Sequence, residues 1–318
     1  MKLAIKWLAL LAGVMTSHNA ALAETVLPLR DDIIVMNTLS TPQFYGPSTI
    51  GFHHGLDFLA DAGTAIYAPV SGKVAMQNYY PQANTPYTYE VSIQTETGYR
   101  WEIHHIDETT IPDSIRQLAQ TGGTVEAGTF LGDVFDATVV DISPHLHLNV
   151  IDPEGYYTNP RLFLPEINDE TSPTIRGLYL VNAQGQVVTN PTSGRYELVM
   201  DVVDEIPPST IDQSIYRLEV ITESEEATTL WQQLFDQLPT PGNFISGAME
   251  TYRREPITLT DGSTLASQFN YKEPRRFLYR MPIELQAGTT LIQVTAEDFN
   301  GNQDQSDLTL EIDTEDKF

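Results

Sequence analysis

A chain of 318 residues is long enough for two domains, and its 41% apolar content is enough to fill two cores, which excludes a disordered polymer. The 43 acidic against 17 basic side chains give a net charge of −26 with no basic stripe, so nucleic acid is excluded as a partner. Cysteine is absent, so the fold has no disulfide staple and the chain has no lipid-modified N-terminal cysteine.

Residues 1–23 carry Lys2 and Lys6, an apolar run from Leu8 to Met15, and Ala21-Leu22-Ala23 ahead of Glu24. This is the pattern of a secretory signal peptide with a small-x-small cleavage site. The apolar run is shorter than the ~20 residues a membrane helix needs, so cleavage after Ala23 is expected rather than anchoring. No later segment is apolar enough to span a bilayer. The protein is therefore expected in the periplasm or the extracellular space, without stable membrane insertion.

From Ser48 to Leu164 short β segments alternate with glycine and proline: Ala65–Val70, Gly72–Gln77, Tyr89–Gln94, Arg100–Ile106 and His145–Ile151. A single helix is predicted over Pro112–Gln120, with Asp113 in its first turn and Gly122-Gly123 beyond its end. The polar, proline-bounded stretch Pro165–Pro173 reads as a linker, placing a boundary near residue 170. Beyond it, alternating segments at Thr174–Val181, Arg195–Val203, Ile215–Ile221, Arg276–Pro282, Thr289–Ala296 and Leu308–Ile312 suggest a β-sandwich. A helical insertion is expected at Ala227–Leu238, where Leu230, Trp231, Leu234, Phe235 and Leu238 fall at helical spacing. The run Asp298–Asp304 alternates oxygen-bearing side chains as a calcium loop does, but lacks the glycine placement and distal glutamate of an EF-hand. Its Asn300-Gly301 step marks a turn between strands. The predicted fold class is all-β: a mostly antiparallel β domain over 24–170, then a sandwich over 171–318.

The chain has seven histidines, and apart from His18 they fall in three tight groups: His53-His54, His104-His105 and His145/His147. Lone histidines are usually structural, but three clusters in one β domain, with none after it, point to metal chemistry. In a strand, His145 and His147 share a face and look into one site. His53 and Asp57 are four apart, yet Gly55 and the β-like flanks argue against a helix, so a bend at Gly55 is expected to bring them together. Alternation should turn His104 away from the site if His105 faces it, and gives His54 and His104 a surface or supporting role.

The set His53-x-Gly55-x-Asp57, Gly63–Pro69, Gly72-x-Val74, His105-Ile106, Gly123-x-Val125-x-x-Gly128, Leu131-Gly132, His145-Leu146-His147 and Asn159-Pro160-x-Leu162-x-Leu164 resembles the lysostaphin-type (LytM-like) metallopeptidase domain. The likeness runs in order over residues 48–165. It implies Zn2+ held by His53, Asp57 and His147, with His105 and His145 as the catalytic pair. Two imidazoles and one carboxylate leave a fourth tetrahedral position for water, the arrangement of a catalytic zinc site. The implied activity is a secreted zinc metalloendopeptidase acting on peptide cross-links of bacterial peptidoglycan. The alternatives are a non-enzymatic wall-binding or regulatory relative, and a peptidase acting on glycine-rich proteins. A regulatory protein partner is compatible with each. Because the chain is so acidic, wall binding has to come from short-range contacts.

Three departures from the family pattern stand out. Gly51 replaces an arginine found in many relatives, Asn149 replaces the acid often found after the histidine pair, and the stretch between His105 and Gly123 is longer. Residues 171–318 resemble bacterial immunoglobulin-like modules only loosely, through strand spacing and the turn Asp298–Asn302.

Overall fold

In Tyr89–Gln94 the apolar Val91 and Ile93 alternate with Glu90 and Ser92, and the strand buries the first pair in a hydrophobic core while turning the second pair to the opposite face. That alternation, repeated strand by strand, builds the computed structural model, which describes residues 24–30, 33–46, 49–78, 89–224 and 228–313. The signal peptide expected over 1–23 lies outside the described residues.

The first region contains β1 (Ile34–Asn37), β2 (Pro42–Gly46), β3 (Thr49–Phe52), β4 (Leu56–Leu59), β5 (Ala65–Tyr67), β6 (Gly72–Asn78), β7 (Tyr89–Gln94), β8 (Arg100–His104), α1 (Asp113–Thr121), β9 (Thr124–Val125), β10 (Phe130–Asp133), β11 (His145–Ile151) and β12 (Tyr157–Thr158). Its main sheet has the order β1-β4-β11-β8-β7-β6-β9, with β12 also paired to β11. β11 is central, and all seven of its residues are buried. Leu146, Leu148 and Val150 join Phe58 and Ile103 in the core below the sheet, so His145, His147 and Asn149 must occupy the other face. α1 starts after Pro112, with Asp113 favourably placed at its positive end, and stops at Gly122, whose φ of 69° suits the left-handed cap.

The later region contains β13 (Thr174–Val181), β14 (Gly194–Val203), β15 (Arg217–Ser224), β16 (Thr228–Leu234), α2 (Ala248–Thr251), β17 (Ile257–Thr258), β18 (Thr264–Leu265), β19 (Leu278–Leu285), β20 (Gly288–Glu297) and β21 (Gln303–Ile312). Two sheets, β13-β14-β19 and β16-β15-β20-β21, share one core through residues such as Leu198, Met200, Val220 and Val294. Leu39, Ile50, Phe52, Ile151 and Tyr157 of the first region are buried in that same core. Pairings between these strands are antiparallel throughout, as expected. The sequence 298–302 forms the turn between β20 and β21, closed by Asp298 N–H to Asn302 O at 3.0 Å.

The helical insertion lies elsewhere than expected. Residues 228–234 are a strand, paired along its length with β15, and the short helix of this region is α2. The apolar residues of this stretch follow a helical stripe rather than strand alternation, and pairing with β15 overrides that spacing. Thr228 and Thr229 are β-branched, and a ready partner edge on β15 settles the choice. Leu230 and Leu234 are consequently exposed on one face, while Phe235 and Leu238 continue into the core.

Candidate metal centre

Two neighbouring strands and one bend carry the donors. Asp57 on β4 lies directly across from His147 on β11, and His147 lies directly across from His104 on β8. His53 follows β3, and the chain bends at Gly55 before entering β4. A side chain at Gly55 would collide with the Leu148 carbonyl oxygen and Asn149 Oδ1, so glycine is what allows this bend to sit against β11.

The donor atoms converge. His53 Nε2 is 2.9 Å from His147 Nδ1 and 3.1 Å from Asp57 Oδ1, and His147 Nδ1 is 2.6 Å from Asp57 Oδ1. Hydrogen bonds on the far side of each ring decide which nitrogen carries a proton. His53 Nδ1 donates to Thr38 O at 3.0 Å, leaving Nε2 with its lone pair. His147 Nε2 donates to Asn149 Oδ1 at 2.7 Å, leaving Nδ1 with its own. Asn149 is oriented in turn by donating to Glu102 Oε2 at 3.0 Å. Asp57 Oδ2 accepts from Asn37 Nδ2 at 2.5 Å, and Asn37 Oδ1 accepts from Arg275 Nη2 at 2.6 Å.

Three acceptors facing one another in a buried space repel unless a cation lies among them. The set fits zinc, which takes imidazole nitrogen and carboxylate oxygen at about 2.0–2.2 Å in a tetrahedron. The protonation states agree. Burial pushes His147 down to about 4 against the pull of Asp57, so its imidazole is neutral and able to ligate at neutral pH. Burial opposes the charge of Asp57, but the surrounding His53, His145 and His147 outweigh it and hold its carboxyl well below the usual range.

His145 and His105 stand beside the three donors. His145 Nδ1 donates to Ser143 O at 2.8 Å, which turns Nε2 toward the site, 4.0 Å from Asp57 Oδ1. The His105 ring lies 4.6 Å from that of His145 and 6.0 Å from that of His147. His104 does not turn away as alternation predicts. Its cross-strand position opposite His147 puts it on the same face, with ring centroids 5.2 Å apart. His105 follows with φ of 64°, and this left-handed residue breaks the alternation so that both rings face the site. The His104 nitrogens face Glu90 Oε2 at 3.7 Å and Glu102 Oε2 at 3.6 Å. His54 stacks on Phe244 with centroids 4.8 Å apart, and burial pushes it well below the usual imidazole range.

The site opens into a cleft of about 480 Å³ whose walls come from both regions: Phe44, Tyr45 and the histidines on one side, Phe269, Tyr271 and Arg275 on the other. A cleft of similar size over Lys73, Trp101 and Phe163 lies away from the histidines. Asn37 and Arg275 were not visible as site residues in the sequence. Asn149 was visible as a departure, and its place two residues after His147 is the signal that it shares the face.

The buried His-Asp-His cluster in an antiparallel sheet is a donor set that fits a catalytic zinc ion. The model of peptidase family M23 matches residues 51–160, the stretch that holds all three donors. Among solved structures, Helicobacter pylori Csd3 in an orthorhombic crystal is similar at 20% identity over 45% of this chain and 35% of that one, with a TM-score of 0.34. A putative peptidase M23 from Pseudomonas aeruginosa is similar at 24% identity over 42% of this chain and 52% of that one, with a TM-score of 0.23. The chain thus spans about a third of the first structure's length and about half of the second's.

Proposed function

We propose that the protein is a secreted zinc metalloendopeptidase that hydrolyses peptide cross-links of bacterial peptidoglycan, with His53, Asp57 and His147 as ligands and His105 and His145 as the catalytic pair. The observation that carries this reading is the approach of three proton-free donors to within 3.1 Å of one another at the floor of an open cleft. A zinc ion held by His53, Asp57 and His147 would acidify a water and polarise the scissile carbonyl. The chain's own residues do the rest. His145 Nε2, left unprotonated by the Ser143 contact, accepts the proton of the attacking water. His105, its ring centroid 4.6 Å from that of His145, steadies the developing oxyanion or passes a proton to the leaving amine. Asn149 and Asn37 hold two of the ligands in place.

Among the described residues no helix is long and apolar enough to cross a membrane. Export rests on the signal-peptide pattern of residues 1–23. We take residues 24–170 as the peptidase domain and 171–318 as an accessory domain that supplies one wall of the cleft. The test is release of new amino groups from purified peptidoglycan, with muropeptides separated to find the broken bond and a glycine-rich peptide assayed alongside. Zinc-loaded protein that binds wall yet releases no amine from either substrate would show a binding or regulatory module instead.

A further inference from the structure

A second cluster of titratable groups lies away from the zinc site, where the linker meets the later region. Asp169 belongs to the linker, Asp204 immediately follows β14, and Asp298 immediately follows β20. All three side chains are buried, and each offers an oxygen within 4.8 Å of the others. Burying three carboxylates together without a counter-charge is costly, because each loses its hydration and repels the other two.

The hydrogen bonds leave this cost unmet. Asp298 is fixed by Asn302, whose N–H donates to Oδ1 at 2.8 Å and whose side chain donates to Oδ2 at 2.6 Å. Asn302 also donates to the Asp169 carbonyl at 2.9 Å, tying the turn to the linker. Thr171 N–H occupies Asp169 Oδ1 at 3.0 Å. Asp169 Oδ2 and Asp204 Oδ1 are buried with no hydrogen-bond partner. Arg161 is the neighbouring cation, but its guanidinium is used by Ile167 O and Asn300 Oδ1 and lies over the Phe299 ring. No ion pair among the described residues reaches the three carboxylates. Were all three acids ionised, the one arginine would leave two negative charges over.

We propose that Asp169, Asp204 and Asp298 form a binding site for one hard divalent cation of the calcium class, which locks the linker to the sandwich. An all-oxygen, all-carboxylate donor set selects calcium, magnesium or manganese over zinc, whose sites here use imidazole. Burial favours calcium among these, because magnesium keeps most of its water and demands near-ideal octahedral geometry. A divalent ion would satisfy the two orphaned oxygens and balance the two surplus charges of the fully ionised cluster at once. Burial and the two adjacent carboxylates push Asp204 up to about 8, as expected of acids gathered without a counter-ion. The turn after β20 remains a turn, and its Asn302 clamp is what presents Asp298 to the other two.

The test uses the full chain lacking residues 1–23, loaded with zinc and dialysed against about 1 mM CaCl2, the range in which extracellular modules bind calcium. Elemental analysis should count one calcium per chain beside zinc, and the melting midpoint should rise by several degrees over calcium-free protein. Asp204→Asn and Asp298→Asn should lose the calcium and the calcium-dependent shift while keeping zinc. Asp57→Ala should do the reverse, so this result is separable from the fate of the peptidase reading. If either asparagine variant fails to fold, the calcium count of the unaltered chain still decides. No calcium retained at about 10 mM CaCl2, or equal retention in both variants, overturns the proposal.

Discussion

At the scale of single residues, ligands and proton-transfer groups should separate cleanly. His53→Ala, Asp57→Ala and His147→Ala each remove a donor from the cluster, so zinc content measured by elemental analysis should fall sharply in all three. His105→Ala and His145→Ala leave that cluster intact. They should keep zinc while amine release falls by about 10²-fold or more. Full activity in both would remove them from the mechanism. Asn149 and Arg275 act through other residues. Asn149 sets the His147 tautomer, and Arg275 reaches Asp57 through Asn37. Asn149→Ala or Arg275→Met should therefore weaken zinc binding by roughly 10–100-fold, read from competition with a chelating dye, with little change in far-UV circular dichroism. The sequence pointed to the histidines because they cluster in a chain otherwise poor in them. Nothing local could reveal Asn37 or Arg275, since asparagine and arginine are common in loops.

At the scale of elements, the bend between β3 and β4 and the strand β11 decide whether the site exists. Gly55 packs where a methyl group would meet the Leu148 carbonyl and Asn149. Gly55→Ala should cost about 1–3 kcal/mol by thermal or urea unfolding, as overpacking does, and should lower zinc content as well because it pushes His53 and Asp57 away from His147. A variant with wild-type stability and zinc would show that the bend is not constrained. Metal removal acts on the same elements. Three acceptors face one another without the cation, so chelation should lower the melting midpoint and added zinc should restore it. Strand periodicity was legible in advance for Tyr89–Gln94, His145–Ile151 and Thr174–Val181, whose limits match the structure. It failed at β16, where pairing with β15 overrides a helical spacing, and at His104, where the left-handed His105 interrupts a strand pattern that assumes uniform backbone.

At the scale of the whole molecule, the two regions are joined by more than the linker. Leu39, Ile50 and Phe52 are almost fully buried in the core of the later region, and Arg275 reaches back to the zinc site. A chain cut to residues 24–170, at the proposed boundary, should expose those side chains, each worth about 1.5–3 kcal/mol when buried. It is expected to melt lower, to bind the dye 1-anilinonaphthalene-8-sulfonate, and to hold zinc more weakly than the full chain. Equal stability and zinc affinity in the fragment would show that the contact is incidental. The sequence by itself determined the all-β class, the order of most strands, the turn at 298–302 and the candidate ligands, because period-two alternation, turn chemistry and short histidine spacings are written within a few residues. Only the tertiary structure decided which face His104 takes, what orients each ligand, and which acids meet at Asp169, Asp204 and Asp298. Those contacts join positions as far apart as Asn37 and Arg275, 238 residues in sequence, and they are set by how two cores pack rather than by any local pattern.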